Sequence, residues 1–374
     1  MNTPARVLVS GTGLIGTSIA LALRENGTEV WLSDADPATA KLAADLGAGV
    51  VVPDMRDAKG IADVAVLAMP PALVGRERAF AQECAVADVY TDVASVKVLP
   101  ARHARELGCD LESYVPAHPL AGRERHGPAA AQADLFLGRT WALCPLPETA
   151  PDAVDAVTAL AVACGADPVV TDPETHDRWV ALVSHAPHLV AVAMAARLAP
   201  SSVPADALKL AGQGLRDVTR IAAGDSSLWT QILAANAGPV AEVVAAVAED
   251  LAAVARLLGG LPAGTTAAVL PTTGTPTTGV TSLLDRGREG AGRIPGKHGG
   301  KPRNFTVVQV VLADRPGELA RLFNAAGAAG VNIEDIRLEH SPGLPVGVAE
   351  LSVRPDQAGQ LLDAMEAGGW PVRR

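Results

Sequence analysis

The chain has 374 residues, enough for two or three domains, and 49% of them are hydrophobic, which is ample for sizeable cores. Only 3% are aromatic, so those cores must be built mainly from Ala, Val and Leu. A formal net charge of −10 argues against nucleic acid or anionic membrane as a partner, and any anionic substrate has to be caught by local arginines.

Val7-Leu8-Val9-Ser10 suits a buried strand and passes straight into Gly11-Thr12-Gly13-Leu14-Ile15-Gly16. Leu14, Ile15, Ile19 and Leu23 then continue with helical spacing, giving a strand, a tight turn and a helix. In such a turn Gly11 permits the reversal, Gly13 lets the backbone approach a pyrophosphate, and Gly16 lets the helix pack close on the strand. The phosphate sits on the free N–H groups and positive end of that helix. Three glycines alone also fit a turn without a ligand. The context argues otherwise: Asn26-Gly27 closes the helix, residues 29–32 read as a second strand, and Asp34 falls where a ribose-binding acid is expected. Ser33-Asp34-Ala35-Asp36-Pro37 offers carboxylates and no arginine, so a 2′-phosphate would be repelled and NAD is expected rather than NADP.

A helix over 38–46, strands over 49–52 and 63–69, a helix to about Cys84 and a strand over 88–93 continue the alternation of an open parallel sheet. Ligands of such sheets bind beyond the carboxyl ends of the strands. There stand Ala94-Ser95-Val96-Lys97, with Ser95 a candidate helix cap, and a loop His118-Pro-Leu-Ala-Gly122-Arg123-Glu124-Arg125-His126. A solvated loop accounts for Arg123, Arg125 and His126. It suits His118 less, because Pro116 and Pro119 hold that residue in an extended segment.

Past residue 150, apart from a short strand near 168–170, everything to Leu258 reads as long helices rich in Ala and Val. So much apolar helix is hard to bury in one chain, which predicts a homodimer. The most apolar stretch, 180–196, is interrupted by Ser184, His185, Pro187 and His188 and so falls short of a membrane span. His185 and His188 have no evident third ligand, and no metal is expected. Arg216 and Arg220 flank Asp217, either as a surface ion pair or as a clamp for a substrate carboxylate. Cys84, Cys109, Cys144 and Cys164 are scattered, and no basic and apolar signal precedes the first strand, so a reduced, cytoplasmic protein is expected.

Residues 259–303 are rich in Gly, Pro and Thr, with one helical piece over 281–288 and a basic loop containing Lys297, His298 and Lys301, a linker by composition. Organisation returns with a strand over 305–313, the turn Asp314-Arg315-Pro316-Gly317, a helix over 318–329 and a strand over 331–340. A strand over 347–353, a helix over 357–368 and a strand over 370–373 complete a βαββαβ, ferredoxin-like order. The expected α/β architecture is therefore a doubly wound Rossmann-type domain over 1–150, an all-α substrate and dimerisation domain over 151–260, a linker over 261–303 and a small α+β domain over 304–374.

Five ordered motifs now stand together: the fingerprint from Gly11 to Gly16, Asp92-Val-Ala-Ser95-Val-Lys97, His118-Pro-Leu-Ala-Gly122-Arg-Glu124, Ser184-His185-Ala-Pro-His188 and Leu215-Arg-Asp217-Val-Thr-Arg220. With Asp314-Arg-Pro-Gly317 in the tail, the chain resembles the bacterial prephenate dehydrogenases of tyrosine biosynthesis that carry a C-terminal ACT-type regulatory domain. The resemblance implies oxidative decarboxylation of prephenate with NAD held at Gly11, Thr12, Gly13, Leu14, Ile15, Gly16 and Asp34. It implies that His118 contacts the reacting ring hydroxyl, Ser95 supports it, Arg220 binds a substrate carboxylate, and His188 and Asp217 line the same site. A neutral imidazole is the right base for a hydroxyl proton that leaves as the hydride departs. Glu124 is a departure in a site for a dianion and is compatible with arogenate, the amino analogue, or with dual specificity. The tail implies an effector, tyrosine, in a pocket involving Asp314 to Gly317 and Asn332.

Three other readings compete. A dehydrogenase of small 3-hydroxy acids would be expected to carry a catalytic lysine on the long helix, where this chain has His185 and His188. A 4-amino-4-deoxyprephenate dehydrogenase of secondary metabolism is almost indistinguishable by sequence. A non-catalytic NAD-binding sensor would keep its role after His118→Asn.

Overall fold

The computed structural model describes residues 3–122, 126–200, 203–260, 279–294, 305–340 and 345–373. They form two compact units, Met1–Ala248 and Glu249–Arg374.

The first unit opens with β1 (Arg6–Ser10), α1 (Leu14–Glu25), β2 (Glu29–Ser33), α2 (Pro37–Asp45), β3 (Val50–Val51), β4 (Ala62–Leu67), α3 (Pro71–Glu83), β5 (Ala87–Asp92) and α4 (Val98–Glu106). β6 (Tyr114–Pro119), β7 (Thr140–Leu143), α5 (Pro151–Ala163) and β8 (Asp167–Val170) complete an eight-stranded sheet in the order β3-β2-β1-β4-β5-β6-β7-β8. Successive side chains of a strand face opposite ways, and both faces are covered here. Val7 and Val9 join a core with Ile19 and Leu23 of α1 and Val157 and Leu160 of α5. Leu8 points the other way, into a core with Ala81 of α3 and Ala101 and Ala104 of α4.

The expectation of a wholly parallel sheet fails at β7, which runs antiparallel to β6 and pairs Ala142 with His118. The described part of the connection holds only a 3₁₀ turn at Pro128–Ala130, and without a crossover helix the chain re-enters the sheet from the end at which it left. His118, two residues past the last β5 pair at Pro116, is thereby held in the ladder by β7.

The glycine turn forms as its sequence demands. Gly11 has φ +93°, and a Cβ there would stand 2.2 Å from the Ala68 carbonyl oxygen; one on Gly16 would stand 1.9 Å from that of Gly11. Beside Gly13 there is open space instead.

The rest of the unit is helical: α6 (Pro173–Val180), α7 (Ala186–Ala196), α8 (Ala205–Leu208), α9 (Gln213–Thr219), α10 (Ser226–Ala235) and α11 (Ala237–Gly259), the last running past residue 248. Pro187 does not break the long helix. A π-helical turn at Ala181–His185 joins α6 to α7, so the run Pro173–Ala196 is continuous. With a mean hydropathy of 1.5 over its most apolar window, this run is long and apolar enough to cross a membrane, contrary to the expectation that its polar residues shorten it. His176, Asp177, His185 and His188 on it are all buried among protein partners, while Trp179, Leu182 and Val183 of the same run are exposed.

In the second unit, α12 (Val280–Gly292) is longer than the sequence suggests, and its Arg286 pairs with Asp250 at 2.7 Å. The basic loop with Lys297, His298 and Lys301 lies outside the described residues. Then come β9 (Thr306–Ala313), α13 (Glu318–Ala328), β10 (Asp335–His340), β11 (Val346–Val353), α14 (Ala358–Ala367) and β12 (Val372–Arg373), forming an antiparallel sheet in the order β10-β11-β9-β12. Val308, Val310 and Leu312 of β9 alternate into a core with Leu322 of α13 and Leu361 and Met365 of α14. β10 starts later than expected because the Val331 N–H closes α13 on the Ala326 carbonyl. The turn before α13 is also occupied: buried Glu318 accepts from Arg315 Nε (2.9 Å), the Arg321 guanidinium and the Trp370 indole (2.7 Å), and these bonds, with the arginines leading, hold its carboxyl at about 2.

Candidate active site

At the carboxyl end of β1 the fingerprint loop is tied to the acid after β2. Asp34 Oδ2 accepts from the Thr12 N–H at 2.6 Å and the Thr12 hydroxyl at 2.9 Å, while Oδ1 accepts from the Asp36 N–H at 2.9 Å. Gly13 is the residue before α1, and no side chain caps the N–H groups there. Open space at Gly13, unsatisfied donors at the helix start and a neighbouring carboxylate fit a pyrophosphate and an unphosphorylated ribose. Asp36 is spent on capping α2, accepting from the Ala38 N–H at 3.0 Å.

Beyond the ends of β5 and β6 lies a cavity of about 410 Å³ whose wall includes Gly13, Ser95, His118, His126, Leu228 and Ile232. The His118 ring is held from behind. Its Nδ1 lies 3.0 Å from His176 Nε2, and His176 Nδ1 lies 2.8 Å from Asp177 Oδ1. A carboxylate only accepts, so His176 carries its proton on Nδ1 and accepts at Nε2 from His118 Nδ1–H. His118 is left with an unprotonated Nε2 as the nitrogen available to the cavity. Burial above all, then His176, Lys97 and His185, holds His118 well below the usual 6.5, so the ring is neutral at physiological pH.

Asp177 also caps a helix. Its Oδ1 accepts from the Lys97 N–H at 2.8 Å and its Oδ2 from the Val98 N–H at 3.0 Å, at the positive end of α4. This corrects the reading of Ser95 as a cap: α4 begins at Val98, three residues on, and half-buried Ser95 turns toward the cavity instead. Asn236 Nδ2 donates to the Asp177 carbonyl at 2.8 Å and to His185 Nδ1 at 3.1 Å, and burial takes His185 down to about 4.

The other expected site residues stand differently. His188 is buried and stacks on Trp229, ring centroids 3.5 Å apart and planes 5° apart, beside Gly224, whose missing Cβ would meet the indole at 2.5 Å. Arg220 opens an exposed 3₁₀ turn at Arg220–Ala223, and exposed Asp217 accepts from Gln213 at 2.9 Å. Neither is among the residues that wall the cavity. The α9 helix and the turn after it pack on α7. Glu124 lies outside the described residues.

Sequence reasoning missed His176 and Asp177, which stand in the polar stretch Glu174-Thr175-His176-Asp177-Arg178. Their i and i+1 positions gave no pairing signal, and the partners lie 58 and 80 residues away in sequence.

A glycine-rich loop with its acid at the end of β2, and a neutral imidazole in the adjoining cavity, define an NAD-dependent dehydrogenase. The family model described as prephenate dehydrogenase, nucleotide-binding domain, matches residues 19–170, and that described as prephenate dehydrogenase, dimerization domain, matches 172–260. A probable prephenate dehydrogenase of Streptomyces niveus, NovF, is 38% identical over 367 residues, 98% of each chain. Among solved structures, prephenate dehydrogenase from A. aeolicus in complex with hydroxyphenyl propionate and NAD+ is 27% identical, with a TM-score of 0.61 over 68% of this chain and 90% of that one. Synechocystis arogenate dehydrogenase is 26% identical, with a TM-score of 0.58 over 68% and 92%. The chain belongs to the prephenate dehydrogenase family.

Proposed function

We propose that this protein oxidatively decarboxylates prephenate to 4-hydroxyphenylpyruvate with NAD, and that His118 is its general base. The observation that carries the reading is the engagement of His118 Nδ1 by His176, which leaves a lone pair on Nε2 beside Ser95 and the fingerprint loop. Gly11, Thr12, Gly13, Leu14, Ile15, Gly16 and Asp34 hold the cofactor, with the pyrophosphate on the start of α1. The chemistry NAD supplies when bound is acceptance of a hydride from the ring carbon that bears the hydroxyl.

His118 Nε2 takes the hydroxyl proton as that hydride leaves, and the hydroxyl oxygen becomes a ring ketone. The proton rests on His118 while the ketone exists, and the new charge is stabilised through His176 by the Asp177 carboxylate. Ser95 holds the hydroxyl in line. The carboxylate opposite the ketone then departs as carbon dioxide, its bonding electrons pass through the ring onto the ketone oxygen, and that oxygen takes the proton back from His118 Nε2 to give a phenol. Arg220 pairs with a substrate carboxylate, with Asp217 and His188 orienting it.

Arg220 and Asp217 reach that role in a dimer. The exposed Trp179 (54%), Leu182 (59%), Val183 (67%) and Leu210 (87%) of the helical region support a surface that a second copy covers, in keeping with the family description of residues 172–260. For residues 304–374 the reading is an ACT-like regulatory domain that binds an amino-acid effector, tyrosine. Its support is the βαββαβ order and a cavity of about 350 Å³ lined by Phe323, Val331, Asn332 and Asp335, which takes in Asn332 but not the Asp314 to Gly317 turn.

Arogenate is the second reading, favoured by Glu124, a carboxylate suited to an ammonium group, and by the likeness to an arogenate dehydrogenase. Incubating the protein with prephenate or arogenate, and with NAD or NADP, separates these. The proposal expects NADH from prephenate with NAD. Turnover of arogenate alone would shift the assignment, and no NADH from either would reject it. Glu124→Gln is expected to change the ratio of kcat/KM for the two substrates.

A further inference from the structure

Behind the cavity lies a buried charged cluster that the chemistry above does not use. Asp92, Lys97 and Tyr114 are each 0% exposed. The Lys97 ammonium donates to Asp92 Oδ1 and, at 2.5 Å, to the carbonyl oxygen of Ala117, the residue immediately before His118. Asp92 also accepts from the Tyr114 hydroxyl at 2.7 Å and from the Ala94 N–H at 2.9 Å. On the other side, the backbone N–H of Lys97 donates to Asp177 Oδ1, the oxygen that His176 Nδ1 also contacts. One residue thus grips both ends of the His118, His176 and Asp177 chain, the first by its side chain and the last by its backbone.

Fold stability gives little reason to keep such a pair. Desolvating two ions offsets most of their attraction, and well-packed apolar side chains of similar volume commonly do as well. The ladder between β5 and β6 already joins Tyr90 to Tyr114 and Asp92 to Pro116 without help from Lys97.

We propose, on the reading of His118 as the base, that Lys97 is a positioning residue for the oxidation, locking the peptide ahead of His118 and the Asp177 carboxylate into one frame. Its charge has a second effect. The groups that act on the His118 ring are His176 of α6, Lys97 after β5 and His185 of the π turn; Asp177 lies behind His176, Asp92 pairs with the Lys97 ammonium, and His126 stands on the cavity wall. Cys144, just past β7, is pushed up to about 12 by burial and stays neutral. Among these groups Lys97 is a fixed cation, and it opposes a second positive charge on His118.

The test uses the full chain and compares it with Lys97→Met/Asp92→Asn, which removes both charges without stranding a buried carboxylate, and with Lys97→Arg. The readouts are kcat and KM for prephenate across pH, the Kd for NAD and the thermal midpoint. In the double variant kcat is expected to fall about 30- to 100-fold, the cost of a misplaced base. NAD affinity and the prephenate KM stay within about threefold, and the acid limb of kcat moves to higher pH because protonation of His118 is no longer opposed. A residue that only holds the fold together would lower the thermal midpoint and leave the acid limb in place. A folded double variant with kcat within about threefold of the parent and an unmoved acid limb overturns the proposal. If the double variant does not fold, Lys97→Arg decides: the cation remains but its planar head cannot serve Asp92 and Ala117 from one point, so kcat falls while the acid limb stays. An unchanged kcat in Lys97→Arg overturns the proposal in that case. A parent protein that turns over neither prephenate nor arogenate refutes the base assignment itself, whereas an active parent with indifferent variants refutes only the role of Lys97.

Discussion

Asp177→Asn probes the chain behind His118 most sharply. The carboxylate accepts three N–H groups: His176 Nδ1 at 2.8 Å and the Lys97 N–H at 2.8 Å on Oδ1, and the Val98 N–H at 3.0 Å on Oδ2. An amide offers one oxygen and one NH₂, so whichever way it turns a donor meets a donor. With its oxygen toward His176 and the Lys97 N–H, the NH₂ faces the Val98 N–H and that bond of the α4 cap is lost, at about 1 kcal/mol. With its oxygen toward Val98, His176 must accept at Nδ1 and protonate Nε2. That proton faces His118 Nδ1, which becomes the acceptor, and His118 Nε2 then carries a proton and cannot take one from substrate.

Either orientation also loses the charge assistance of the bond to His176, about 1.5–3 kcal/mol. At 1.36 kcal/mol per decade that is roughly 10- to 150-fold in rate. The tautomer reversal adds to it, toward the roughly 10⁴-fold that the corresponding change brings in a Ser-His-Asp triad. We expect kcat for NADH formation to fall about 10²- to 10⁴-fold, with the Kd for NAD unchanged and the thermal midpoint lower by about 2–6 °C. A folded variant that keeps kcat within about threefold would show that Asp177 acts only as a helix cap, and the reasoning would fail.

Further predictions concern the glycine loop and pH. Gly13→Ala should leave the thermal midpoint unchanged and weaken NAD binding at least about tenfold, since its Cβ meets nothing but the space a pyrophosphate takes; Gly16→Ala should lower both, because its Cβ collides with the Gly11 carbonyl at 1.9 Å. His185 is held at about 4 against the usual 6.5, so its contribution to stability is complete above pH 6.5 and is lost as pH falls toward 4, about 3 kcal/mol in all. Thermal midpoints taken from pH 7 to 4 should fall over that window, and His185→Gln should flatten the decline. His118 is depressed in the same direction, so kcat should hold its plateau below pH 6.5; a decline centred at 6.5 would contradict a buried, neutral base.

Much of the first 100 residues was legible because local rules and tertiary demands agree there. Val7 to Gly16 encodes a buried strand, a positive-φ turn and a close helix contact within ten residues, and each appears. The βαββαβ order of the tail was legible for the same reason, through the alternation in β9 and β11. What escaped was set by contacts distant in sequence. Ser95 looked like a cap because the carboxylate that caps α4 comes from Asp177 on another helix. His176 went unread because nothing near it in sequence reveals its contact with His118 of β6. The reversal of β7 depended on a connection with no crossover helix, and Ser184, His185, Pro187 and His188 looked like interruptions within 180–196 when the run Pro173–Ala196 is continuous. Arg220 and Asp217 were identifiable as types, and both lie at the surface of the chain.

The central claim is that His118 accepts the substrate proton beside a cofactor held by the Gly11 to Gly16 loop. His118→Asn keeps a polar side chain of similar reach and removes the base. With prephenate and NAD saturating, we predict that NADH formation falls at least about 10³-fold while the Kd for NAD and the thermal midpoint match the parent. NADH formation within about tenfold of the parent would contradict the account.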